Sequence, residues 1–193
     1  MDTPLDTFLR VLDSTDTSVG GGSASAIAGA MAAALVALVA RLSIAKPDLG
    51  DDALHRDVLA EADVLSEALF RGAREDAAAF AAIRAAYRLP KDSEAERDHR
   101  GRMIQEAMLR AADVPLRNAE RCRRVLELCA ALEGCANPNA ASDLECARHL
   151  ASAGVLGSVA NVLTNVPSIK DERTVAELTA RARALAESTC SST

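Results

Sequence analysis

One carboxylate interrupts an otherwise apolar seam. Across residues 52–88, Val58, Ala62, Leu65, Leu69, Ala73, Phe80, Ile83 and Tyr87 recur at heptad-like spacing, and the position between Ala73 and Phe80 is Asp76. Left ionised and unpaired in such a seam, an aspartate is strongly destabilising. It must therefore shift its pKa, find a cation or hydrogen-bond partner, or border a solvent-filled pocket. Each outcome is compatible with a working acid or base. The competing reading is structural, a buried pair with an arginine or with Tyr87.

Further polar residues stand at the edges of apolar segments. Asp143 sits in the cluster Asn137-Pro138-Asn139-Ala140-Ala141-Ser142-Asp143, where it either serves a site or merely offsets a helix dipole. Asn161 and Asn165 follow on the same segment. Amides there suit a ligand rich in donors and acceptors, although Asn165 equally suits a helix end. The run Gly20-Gly21-Gly22-Ser23 opens another apolar segment, so its amides and the helix dipole favour an anion. No strand precedes it and its spacing matches no phosphate-loop or dinucleotide fingerprint, so a tight turn between touching helices explains it as well. His55, His99 and His149 lack metal-ligand spacing and a serine or cysteine elbow, and no metal site is expected. His149 falls within an apolar segment, as a proton shuttle or a core histidine.

The elements that must carry these residues all read as helices. Leu5, Phe8, Leu9 and Leu12 have helical spacing after Pro4. Residues 17–40 contain no charge. Ser23 is placed as the cap of a central helix buried on all sides, with Gly29, Ala33 and Ala37 letting neighbours approach and Pro47 and Gly50 ending it. That run is long enough to span a bilayer, but its Ala, Gly and Ser content makes insertion poor, and no membrane is expected. Ser93-Glu94-Ala95-Glu96 is a capping-box signature. Pro115 is expected to kink or restart the helix that follows. Ser142 or Asn139 is expected to cap a last buried helix, which Pro167 ends before a polar amphipathic one. No linker divides the chain, which reads as one all-α domain over residues 1–193, a compact helical bundle with long central buried helices.

Composition agrees. The chain has 193 residues, 41 of them alanine, and only 2% are aromatic, which disfavours a β-sandwich or barrel. A net charge of -6 without a cationic stripe argues against nucleic acid as a partner. Five cysteines without a Cys-x-x-Cys pair suggest reduced thiols in a cytoplasm. Only Lys46, Lys91 and Lys170 are lysines among 22 basic residues, so each is a candidate for a role that a guanidinium fills poorly.

The motifs together resemble a known family. Gly20-Gly21-Gly22-Ser23-Ala24, Ala28-Gly29-Ala30, Ala37-Leu38-Val39-Ala40-Arg41-Leu42, Asp76-Ala77-Ala78-Ala79-Phe80, Tyr87-Arg88-Leu89-Pro90-Lys91, Ala112-Asp113-Val114-Pro115-Leu116, Asn137-Pro138-Asn139-Ala140-Ala141-Ser142-Asp143 and Pro167-Ser168-Ile169-Lys170-Asp171 resemble, in order, the formiminotransferase-cyclodeaminase C-terminal family. The resemblance implies a helical bundle that forms a homodimer and acts on tetrahydrofolate-bound one-carbon units. The activity is then methenyltetrahydrofolate cyclohydrolase or formiminotetrahydrofolate cyclodeaminase, with a reduced folate as substrate and no tightly bound cofactor.

On that reading Asp76 or Asp143 stabilises the methenyl cation and acts as base toward water, and a carboxyl of raised pKa or Lys91 protonates departing ammonia. The anionic glutamate tail suits the glycine loop or a lysine, Lys170 included. Asn139, Asn161 and Asn165 read the pterin edge, and Tyr87 and Phe80 are among the few stacking partners. Two departures stand out. The family usually has prolines before its glycines where this chain has Thr17-Ser18-Val19, which predicts a more mobile loop, and Glu145 replaces a small residue beside Asp143. Alternatives are a non-catalytic helical dimer or partner subunit, and a relative acting on a different amidine or folate-like substrate.

Overall fold

A 24-residue run with one charge, Arg41, forms the axis of the molecule. In the computed structural model, which describes residues 4–44, 46, 49 and 52–190, this run is helix α2 (Gly21–Ile44). Around it stand α1 (Pro4–Leu12), α3 (Asp52–Tyr87), α4 (Glu94–Ala131), α5 (Ala141–Asn165) and α6 (Glu172–Cys190), with short 3-10 turns at Pro138–Ala140 and Val166–Ser168. No strand occurs among the described residues, and the all-α reading holds. Pro47 and Gly50 lie outside the described residues.

Helices α2 to α5 run alternately up and down. Ser66 donates to the Ala30 carbonyl at 3.1 Å, Arg124 holds Glu61 at 2.6 Å, and Arg148 holds Glu133 at 2.6 Å, contacts that set successive neighbours antiparallel. Small residues allow this. A Cβ on Gly154 would lie 2.7 Å from Cys122 Sγ, and one on Gly29 would overlap the same sulfur, so α2, α4 and α5 meet at one point only because two of them carry glycine there.

Several expectations give way. The apolar composition of α2 does not bury it on all sides: Met31 (44% exposed), Leu38 (38%) and Leu42 (39%) form an outward stripe with Ala34, and Leu156 of the adjacent α5 is 41% exposed. By length and hydropathy α2 meets the criterion for a membrane-spanning helix, yet its other faces pack on α3 and α5. Phe80 and Tyr87 continue the seam of α3 but are exposed, while Ala79 and Ala86 of the same stretch are buried.

Pro115 does not restart α4; it is buried inside one continuous helix of 38 residues. The capping box at Ser93 and Glu96 forms as expected. Neither Ser142 nor Asn139 caps α5. Asn137 instead accepts from the Asn139 amide at 3.0 Å and donates to the Leu42 carbonyl at 3.1 Å, tying this turn to the end of α2. His149 is no core residue either; its exposed ring sits 3.1 Å from Glu145.

Candidate active site

The amino end of α2 meets the middle of α3. Because α2 begins at Gly21, Ser23 lies inside the first turn and is not its cap; its hydroxyl instead contacts the Ala73 carbonyl at 3.0 Å and donates to Asp76 Oδ2 at 2.9 Å. Asp76, reaching across from α3, thus takes the place a capping side chain would hold. Gly22 makes the approach feasible, since a Cβ there would lie 2.7 Å from Asp76 Cγ. Neither an arginine nor Tyr87 pairs with this carboxylate, and no cation lies against it among the described residues. Burial pushes its carboxyl above the ordinary carboxylate range; the hydroxyl and amide of Ser23 pull the other way without cancelling that effect.

Asp76 opens onto a cavity of about 210 Å³ lined by residues 17–20, Phe80, Ile83, Ala111, Asn161 and Asn165. The far wall follows from Pro115. Proline has no amide hydrogen to give the carbonyl four residues back, so Ala111 is left without its helical donor. Asn165 Nδ2 supplies it at 2.8 Å and also reaches Asn161 Oδ1 at 2.9 Å. A carbonyl can only accept, so these contacts orient both amides. Asn165 Oδ1 and the Asn161 amide nitrogen remain to meet a ligand, one acceptor and one donor. Asn165 is therefore a wall residue and not the cap of α5.

The loop before α2 is held by side chains. Arg10 of α1 donates to Asp16 at 2.7 Å and to Ser18 Oγ, while Asp16 accepts from the Ser18 amide at 2.8 Å. The Arg10 contact, with Ser18, holds the Asp16 carboxyl well below its usual range. Where prolines are absent at 17–19, the loop is tied to α1 by this hydrogen-bonded clasp. Arg10 and Asp16 escaped the sequence reading; an arginine six residues before an aspartate, either side of a helix end, was the available signal.

The cavity therefore unites Gly20, Asp76, Asn161 and Asn165, with Gly22 and Ser23 directly behind Asp76. Gly21 is exposed at the helix start, and its carbonyl accepts from Ser25 at 2.6 Å. Tyr87 and Lys91 lie beyond, on the exposed hairpin joining α3 to α4. Tyr87 is roughly 16 Å further along the helix than Asp76, and the Arg100 guanidinium sits 5.4 Å from its ring centre. Lys170 is exposed outside the cavity, where its amide donates to Gln105 at 2.8 Å. Asn139 and Asp143 are at the opposite end of the bundle. Asp143 and Asn165 stand at the two ends of α5, roughly 33 Å apart at 1.5 Å per residue. No group of three or more metal-ligating side chains occurs among the described residues.

A desolvated carboxyl facing two oriented amides across a small, partly apolar cavity suits a flat, nitrogen-rich head group that carries or acquires positive charge. Known proteins point the same way. The Formiminotransferase-cyclodeaminase family profile matches residues 4–184. The chain belongs to that family. Within it, the chain is 38% identical over 174 residues to a protein of Methylorubrum extorquens named methenyltetrahydrofolate cyclohydrolase, covering 90% of this chain and 83% of that one. It is 32% identical over 173 residues to formimidoyltransferase-cyclodeaminase of Mus musculus, covering 89% of this chain but 32% of that longer protein. The crystal structure of formiminotetrahydrofolate cyclodeaminase from Thermotoga maritima superposes with a TM-score of 0.79 at 26% identity, over 97% of this chain and 91% of that one.

Proposed function

We propose that this family member acts on a reduced folate, as a methenyltetrahydrofolate cyclohydrolase in the first instance. The observation that carries the proposal is Asp76, a desolvated carboxyl without a cation, set against a small cavity walled by Asn161 and Asn165. The methenyl substrate brings its own positive charge. Bound there, it supplies the cation that Asp76 lacks and favours the carboxylate, which then accepts a proton as water adds to the one-carbon unit. The proton returns to the leaving nitrogen as the ring opens to the formyl product. Higher identity to the cyclohydrolase, over most of both chains, favours this reaction. Cyclodeamination is the second reading, favoured by the likeness to the Thermotoga maritima structure; there the protonated Asp76 donates to departing ammonia as the methenyl ring closes.

The chemistry needs no metal or bound cofactor, and a cytoplasmic enzyme without membrane or nucleic-acid partners is the setting proposed. The protein acts as a homodimer on this reading, with the outward stripe of Met31, Ala34, Leu38 and Leu42 as the contact. A two-fold axis crossing that stripe at right angles to α2 brings opposite ends of the bundle together. On this reading the end of the bundle that carries Asp143 and Asn139 in one subunit lies beside the end that carries Asp76 in the other. Asp143 is suited to this, having no hydrogen bond or ion pair within its own chain among the described residues.

The test follows the methenyl chromophore while each folate is supplied in turn. Accelerated loss of the absorbance identifies the cyclohydrolase, and its appearance from the formimino compound identifies the cyclodeaminase. No change with either substrate would contradict the proposal.

A further inference from the structure

A cavity of about 210 Å³ is smaller than the roughly 300 to 1,000 Å³ that encloses a drug-sized ligand. The remainder of a folate must leave it. Over the rim at Ser18 lies a second groove of about 640 Å³, on the face of α3 next to the one carrying Asp76. Its floor is Ala77, Ala78 and Ala81, small side chains over which a flat ring can lie, and its walls carry Arg10, Arg74 and Arg110. Among the described residues lining it Glu75 is the one carboxylate, and it is already 3.5 Å from Arg117. The three guanidinia are not equally available: Arg10 is held by Asp16, and Arg74 also has a partner. Thr7 belongs to the same groove; it is 1% exposed, and its Oγ1 has no hydrogen-bond partner. Arg110 makes no hydrogen bond or ion pair among the described residues. It stands where this groove meets a longer one, of about 890 Å³, along α3 and α4.

We propose that the arginine-lined groove beside Ser18 is the subsite for the carboxylate tail of the substrate, with Arg110 and Arg74 determining the preference for a glutamylated over a tail-less pterin. The inference rests on the folate reading above and deepens it. Planar guanidinia match carboxylates bidentately, and Arg110, without a partner among the described residues, shares its groove with Ser18, which also lines the head-group cavity. The glycine loop and Lys170, the sequence candidates for the tail, do not line this groove.

The experiment measures binding and turnover separately. Dissociation constants for tetrahydrofolate and for tetrahydropteroate, which lacks the glutamate, are obtained by calorimetry for the wild-type protein and for an Arg74→Ala/Arg110→Ala double variant. The expected result is a preference for the glutamylated ligand that falls about tenfold in the double variant and weakens with added salt. In turnover, the same loss falls on KM more than on kcat. A preference unchanged in the double variant would overturn the subsite, as would equal affinity of the wild-type protein for the two ligands. Tail-dependent binding without turnover of either folate would instead overturn the proposed reaction and leave the subsite standing. Arg110→Lys, which keeps the charge but not the fork, is expected to restore part of the preference and guards against a variant that merely fails to fold.

Discussion

At the amino end of α2 a carboxylate is tucked among a serine hydroxyl, a helix terminus and an apolar wall; at the carboxyl end of the same helix another lies in the open first turn of α5. Asp76 has lost water and gained two donors from Ser23, and burial prevails, so its proton affinity is raised. Around Asp143 the polar groups are either engaged elsewhere, as Asn137 is with Ser43 and Leu42, or exposed, as Ser142 and Asn139 are. The two ends therefore do different work. One shifts the pKa of a group by enclosure, and the other leaves its polar side chains to solvent or to the end of α2. Two residues that look equivalent as intruders in an apolar chain are distinguished by which helix terminus they meet and by how much water remains.

The largest expected effect separates the ends by subunit. Asp76→Asn should lower kcat/KM by about 10²- to 10⁴-fold while helical circular dichroism is retained, and Asp143→Asn should also impair turnover. If the site is built from opposite ends of two subunits, a mixed dimer of the two variants, isolated through different affinity tags, contains one intact site and recovers about half of wild-type activity. A mixed dimer as inactive as its parents would place both groups in a single-chain function and break the comparison.

A smaller effect concerns the wall that only the Asp76 end possesses. Asn165→Ala removes the donor that Pro115 denies to the Ala111 carbonyl, and should cost about 1 to 3 kcal/mol of stability, read from denaturant unfolding. Restoring the helical donor with Pro115→Ala in that background should recover most of the loss. No recovery would mean that Asn165 acts through some other contact.

Much of this was legible in the chain. The uncharged run, the heptad spacing and the capping box specify helices almost to their ends, and an aspartate in an apolar seam is conspicuous wherever it falls. The rest depended on three-dimensional facts with no local signature. Ser23 has the composition of a cap, but Asp76 occupies that role from another helix, and only the closeness of α2 and α3 at Gly22 reveals it. Pro115 reads as a break because proline costs a helix one hydrogen bond; here Asn165, fifty positions later, supplies the missing donor and the helix continues. The exposed stripe on α2 is apolar by composition, so periodicity gave no hint that it faces outward.

The central claim is that Asp76, raised by burial, is the group whose ionisation limits the reaction. The pH dependence of kcat/KM tests it most directly. A buried carboxyl with raised pKa loses its base form as pH falls, so the account predicts an acid limb whose inflection lies above 3.8, the ordinary aspartate value, and which is absent from the residual activity of Asp76→Asn. An inflection at or below 3.8, or the same limb persisting in the variant, would contradict it.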